Sequence, residues 1–150
     1  MEYKITTRSE EETLELAENI ESEKFPNMVI CLEGDLGSGK TVFTKGFALA
    51  LGIDEMITSP TFTLIKEYEN AEMPLFHMDF YRLDKSPEEI GLDEYYNKDG
   101  IVIIEWADVV RDYLPEERLD IRIVSIDEDT RIFVITPIGQ KYIDLCEAVL

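Results

Sequence analysis

An α/β domain, with a mixed β-sheet flanked by helices, is the fold class that the sequence predicts from three observations. "MVICLE" (28–33) and "IVIIEWA" (101–107) are unbroken apolar runs, as expected of strands buried on both faces. Segments with helical spacing and cap residues alternate with them. Two pairs of β-rich runs, each split by a short polar turn, add antiparallel hairpins and make the sheet mixed. A length of 150 residues, 45% of them hydrophobic and 10% aromatic, suits a single domain over 1–150 with its own core.

In chain order, "YKITT" (3–7) reads as a short strand. Ser9 with Glu12 forms a capping-box pattern for a helix running to about Glu21, with Leu14, Ala17 and Ile20 as its inward face. "MVICLE" is bounded by Pro26 and Gly34, and "TVFTKGFALALG" (41–52) reads as a helix ending at Gly52. "TFTLIKEYE" (61–69) and "PLFHMDFYRL" (74–83), separated by "NAEM", predict the first hairpin. Ser86 followed by Pro87 starts a short helix over 86–96. After "IVIIEWA" a helix is expected to Leu114. "LDIRIVSI" (119–126), "DEDT" and "RIFVIT" (131–136) predict the second hairpin, and "KYIDLCEAVL" a closing helix. No repeat, low-complexity tract or linker divides these elements.

The 33 acidic residues against 14 basic ones, a formal net charge of −19, argue against a broad nucleic-acid or anionic-membrane face. There is no apolar run of membrane-spanning length, and "MEYKITTRSEEET" lacks a secretory signal pattern, so a cytoplasmic protein is expected. Cys31 and Cys146 are far apart and there is one histidine, His77, so neither a disulfide framework nor a stable metal cluster is expected. Both thiols read as buried apolar groups.

Gly34, Gly39, Lys40 and Thr41 complete G-x-x-x-x-G-K-[ST] in "GDLGSGKT", between a predicted strand and a predicted helix. Glycines let backbone N–H groups converge without Cβ clashes, and a helix N-terminus adds partial positive charge. Lys40 then reaches the outer phosphates of a nucleotide, and the Thr41 hydroxyl is placed for Mg²⁺. A second acidic group is needed near such a metal, and Glu105 ends the apolar run "IVIIE", where an unpartnered carboxylate would be costly. Asp79 is the other candidate. In a strand, His77, Asp79 and Tyr81 share one face and Phe76, Met78 and Phe80 the other, which suits an active-site wall or a solvated surface equally. Trp106 could stack by the nucleotide or serve the core, and "TSPTFT" (58–63) reads as a plain turn with some switch-loop character. Neither D-x-x-G nor N-K-x-D in its proper place occurs, since "NKDG" (97–100) precedes the strand it should follow. ATP is therefore preferred over GTP.

Taken in this order, "GDLGSGKT", "SPTFTL", "HMDFYRL" and "IEWAD" resemble the TsaE family, the small ATPases of bacterial tRNA threonylcarbamoyladenosine synthesis. The resemblance spans about Ser9 to Val110. It implies a P-loop NTPase fold, weak ATP hydrolysis alone, and action with TsaB and TsaD on adenosine 37 of ANN-decoding tRNAs, with tRNA met only through the complex. Carried over by residue, Leu36, Gly37, Ser38, Gly39, Lys40 and Thr41 would bind phosphates, Thr41 and Glu105 the Mg²⁺, and Asp79 the catalytic water or the γ-phosphate region. The roles of Asp79 and Glu105 could be exchanged or shared. Thr58 and Thr61 would lie in a switch-like loop, and Glu10, at the helix start after Ser9, near the base. Ser38 stands where alanine is frequent and Val42 where a second threonine is common; neither removes a needed group.

Two rivals stand beside this reading. A small-molecule P-loop kinase would be expected to bring an arginine-rich lid, whereas Arg8, Arg82, Arg111, Arg118, Arg122 and Arg131 are scattered. A nucleotide-gated binding module would use ATP only to shape an interface.

Overall fold

The computed structural model describes residues 1–35, 37–55, 57, 65–69, 72–81 and 86–150. Among these, one sheet contains β1 (Tyr3–Thr7), β2 (Val29–Glu33), β3 (Ile65–Tyr68), β4 (Leu75–Asp79), β5 (Ile101–Glu105), β6 (Arg118–Ser125) and β7 (Arg131–Ile138). Their spatial order is β1-β7-β6-β2-β5-β4-β3. β6, β2, β5 and β4 run parallel, while β3 pairs antiparallel at one edge and β7 and β1 at the other. Both predicted hairpins are present, so the sheet is mixed for the reason read from the sequence.

Unbroken apolar sequence in β2 and β5 follows from cover on both faces. Ile30, Leu32, Ile101 and Ile103 pack with Leu16, Ala17 and Ile20 of α1 (Glu10–Glu21) and Phe43, Phe47 and Leu51 of α2 (Lys40–Leu51). Tyr142 and Leu145 of α5 (Gln140–Val149) join the same cluster. The opposite faces of these strands supply Val29, Cys31, Val102 and Ile104, which pack with Phe76, Met78, Phe80, Leu92 and Val110. Each fully buried Phe, Leu or Ile contributes about 1.5–3 kcal/mol. Three such residues in α2 outweigh the roughly 1 kcal/mol that Gly46 costs a helix interior. Where β6 has not yet begun to pair, the Tyr142 hydroxyl accepts the Val29 N–H at 2.9 Å and closes the end of β2.

Several details differ from the sequence reading. In α1 the Ser9 hydroxyl accepts from the Glu12 N–H and Glu12 accepts from the Arg8 N–H, as the capping box requires. Its buried face, however, is Thr13, Leu16, Ala17 and Ile20, with Leu14 only half-buried, because a strict three-residue spacing drifts off a 3.6-residue stripe. The helix expected over 86–96 is two single turns, α3 (Pro87–Ile90) and α4 (Leu92–Tyr95), broken where Gly91 adopts φ +74°. The helix expected to Leu114 is a 3₁₀ segment, Ala107–Tyr113, kinked at Val110. β7 continues through Pro137, beyond the predicted end at Thr136, because β1 pairs only as far as Ile135 and the proline there needs no donor toward β1.

Candidate nucleotide site

Leaving β2, the chain turns at Gly34, whose φ is +155°. A Cβ there would lie 2.6 Å from Ser38 Oγ and 2.8 Å from the Ile123 carbonyl of β6, so the loop can lie this close only with glycine. Gly37 and Gly39 follow at φ +77° and +111°. Gly39 caps α2 without a side-chain acceptor of its own, unlike Ser9 at α1. Lys40 turns back on the loop. Its Nζ donates to the Gly34 carbonyl at 2.5 Å, the Asp35 carbonyl at 2.8 Å and Ser38 Oγ at 3.3 Å. Burial pulls the Lys40 ammonium below the ordinary lysine range, against the opposing pull of Glu105, Asp79 and Asp35. Leu36, the remaining loop residue with an expected phosphate role, lies outside the described residues.

Parallel pairing brings the carboxylates to this loop. β5 lies between β2 and β4, with Glu105 in register with Leu32 on one side and Asp79 on the other. Both acids therefore sit at the carboxyl ends of parallel strands, the usual ligand edge of an α/β sheet. Thr41 Oγ1 donates to Glu105 Oε1 at 3.2 Å. The fully buried His77 donates from Nε2 to Glu105 Oε2, since a carboxylate can only accept. Asp79 is half-buried, and its Oδ1 accepts the Tyr81 N–H at 3.1 Å. β4 ends at Asp79, short of the expected 74–83, so the alternation holds for His77 and Asp79 only, and Tyr81 lies in the exposed turn that follows.

Trp106 adopts φ +61°, and Lys40 Nζ lies 4.4 Å from its ring centroid. The Tyr81 ring lies 4.9 Å from the same ring. The tryptophan therefore stands beside the phosphate-loop lysine as well as packing against the apolar cluster. Glu10 is not drawn in. It is exposed in the first turn of α1, and no hydrogen bond or ion pair among the described residues joins it to the loop. Thr58, Thr61 and the rest of "TSPTFT" lie outside the described residues, as do Arg82 and Leu83. Sequence reasoning placed His77 on the right face without giving it a partner. It missed Arg131, whose guanidinium donates to the Ser38 and Gly37 carbonyls from 93 and 94 residues away.

A family model described as "Threonylcarbamoyl adenosine biosynthesis protein TsaE" matches residues 7–133. The chain belongs to the TsaE family. One family member, from Bacillus subtilis (strain 168), is 46% identical over 146 residues, covering 97% of this chain and 92% of its own length. A second, from Nostoc sp. (strain PCC 7120), is 39% identical over 149 residues, covering 95% and 90%. Both carry the name "tRNA threonylcarbamoyladenosine biosynthesis protein TsaE". The crystal structure of Bacillus subtilis YdiB superposes with a TM-score of 0.88 at 42% identity, covering 99% of this chain and 94% of that one. The TsaE match runs from the end of β1 into β7 and so includes the loop, both carboxylates and Arg131. The mixed sheet with helices on both faces is the P-loop NTPase-like fold that the family resemblance implied.

Proposed function

We propose that this TsaE-family chain is a Mg²⁺-dependent ATPase that supports formation of N6-threonylcarbamoyladenosine at position 37 of ANN-decoding tRNAs, acting with TsaB and TsaD. The place in tRNA modification rests on the relatives' names. The hydrolytic reading rests on one observation, the convergence of Lys40, Thr41, Glu105 and Asp79 around the loop after β2. Lys40 already lies along the loop, so incoming phosphate oxygens can replace the Gly34 and Asp35 carbonyls as its acceptors. The amides at the start of α2, where the N-cap Gly39 brings no side-chain acceptor, would supply further donors.

A hydroxyl and a carboxylate in contact form a hard oxygen donor pair, which fits Mg²⁺, and Thr41 with Glu105 would hold it. Among the described residues no group of three or more His, Cys, Asp and Glu could hold a metal ion. When bound, Mg²⁺ supplies charge neutralisation on the phosphate oxygens. His77 keeps the Glu105 carboxylate oriented, and Asp79, in register beside Glu105, would orient the attacking water and accept its proton.

Single-turnover phosphate release, with and without TsaB and TsaD, tests the proposal. Lys40→Ala removes charge-assisted bonds of about 1.5–3 kcal/mol and is expected to weaken ATP binding by roughly tenfold or more. Glu105→Gln should keep ATP while losing Mg²⁺-dependent hydrolysis; unchanged turnover would move the catalytic burden to Asp79. No phosphate release under any condition would leave a nucleotide-gated binding module.

A further inference from the structure

We infer that Arg131 is a positioning residue of the phosphate loop, a guanidinium clamp that joins the β6–β7 turn to the peptides of Gly37 and Ser38 and preorganises them for the nucleotide. The inference rests on the nucleotide-binding reading and deepens it. Arg131 opens β7 and spends its donors on backbone oxygens in two directions. Toward the loop, Nε reaches the Ser38 carbonyl at 2.9 Å and Nη2 the Gly37 carbonyl at 3.3 Å. Toward its own turn, Nη1 reaches the Asp127 carbonyl at 2.7 Å and the Thr130 carbonyl at 3.1 Å. The turn is itself tied, because Asp127 Oδ1 accepts the Asp129 and Thr130 N–H groups at 3.0 and 2.8 Å.

The loop needs such an external hold. Gly37 and Gly39 both have positive φ, and among the described residues nothing lies within 4 Å of where their Cβ atoms would be. Glycine carries the largest backbone entropy cost on ordering, and any part not met before binding is met at the expense of affinity. In a planar trans peptide, C=O and N–H point opposite ways. Holding the Ser38 carbonyl toward Arg131 therefore turns the Gly39 N–H away from it, at the N-cap of α2, where anions bind. The rigid fork suits this task better than a lysine, because its separate Nε, Nη1 and Nη2 reach the loop on one side and the turn on the other, whereas an ammonium donates from a single point.

Calorimetric titration with Mg·ATP and ADP is the test, on the wild-type protein, Arg131→Ala and Arg131→Lys. Amide hydrogen exchange over residues 37–41 and thermal unfolding are measured on each protein without nucleotide. Both variants should weaken nucleotide binding by about tenfold and accelerate loop exchange. Arg131→Lys should recover the thermal midpoint without recovering affinity. A loss of thermal stability with wild-type affinity and exchange would make Arg131 a strut for the hairpin and overturn the clamp. If Arg131→Ala does not fold, Arg131→Lys carries the test alone. Absence of binding by the wild-type protein would sink the nucleotide reading instead; loop exchange would then still decide the clamp, unchanged exchange in Arg131→Lys overturning it.

Discussion

A carboxylate that is 2% exposed must have partners for its charge, and Glu105 has His77 on one side and Thr41 on the other. These contacts explain why an acid can end an apolar strand, and they hold its oxygens still beside the loop. The two thiols are buried without a disulfide. Both are free and buried, and burial pushes the Cys146 thiol up to about 11, with Cys31 raised further. Because the folded value lies above the ordinary 9.0, the Cys146 contribution to stability is full below about 9 and is lost as pH rises through about 11. Neither thiol should react with a disulfide reagent at pH 8 in the native protein, and both should react in denaturant. Rapid native labelling of either one would contradict the burial assigned to it.

At the scale of elements, α2 is fastened to α1 through a single missing side chain. A Cβ on Gly46 would lie 2.9 Å from Leu14 Cα and 3.0 Å from the Leu14 carbonyl, both backbone atoms that cannot rotate aside. Gly46→Ala would gain about 1 kcal/mol of helix propensity. Overpacking against backbone costs about 1–3 kcal/mol and should win. Urea unfolding is expected to show a net loss of roughly 1 kcal/mol; a gain would mean that the two helices part easily. The β6–β7 hairpin supports the loop in turn, through Ile123 against Gly34 and Arg131 against Gly37 and Ser38. An element that the sequence presented as a remote hairpin is thus structurally part of the site.

At the scale of the whole molecule, a formal net charge of −19 sets the long-range field. Phosphate contacts dominate nucleic-acid affinity and require clustered cations, whereas among the described residues Lys40 and Arg131 are committed to the loop. Arg111, in the 3₁₀ segment, is paired with Glu33 at the end of β2 at 3.1 Å. The purified protein should therefore show no salt-dependent binding of tRNA in a filter assay, as the proposal that partners hold the RNA requires. Clear binding at physiological salt would remove that division of labour. Among the described residues no helix is long and apolar enough to cross a membrane.

The sequence by itself determined whatever depends on neighbours along the chain. The strand, glycine-rich turn and helix of "GDLGSGKT" follow from local sterics and hydrogen bonding, as do the capping box at Ser9 and both hairpins. The apolar run ending in Glu105 marked a buried acid because one-residue chemistry, the cost of an unpaired charge, was enough to flag it. Gly91 and Val110 broke helices whose ends were legible but whose interiors were not. What only the tertiary structure decided is which distant groups meet. Strand order brings Asp79 beside Glu105, the buried edge of β4 brings His77 to the same carboxylate, and the C-terminal hairpin brings Arg131 to the loop. Contacts across 28 and 93 residues leave no periodic trace, because they arise from the packing of the sheet and its hairpins rather than from the conformational preferences of any one segment.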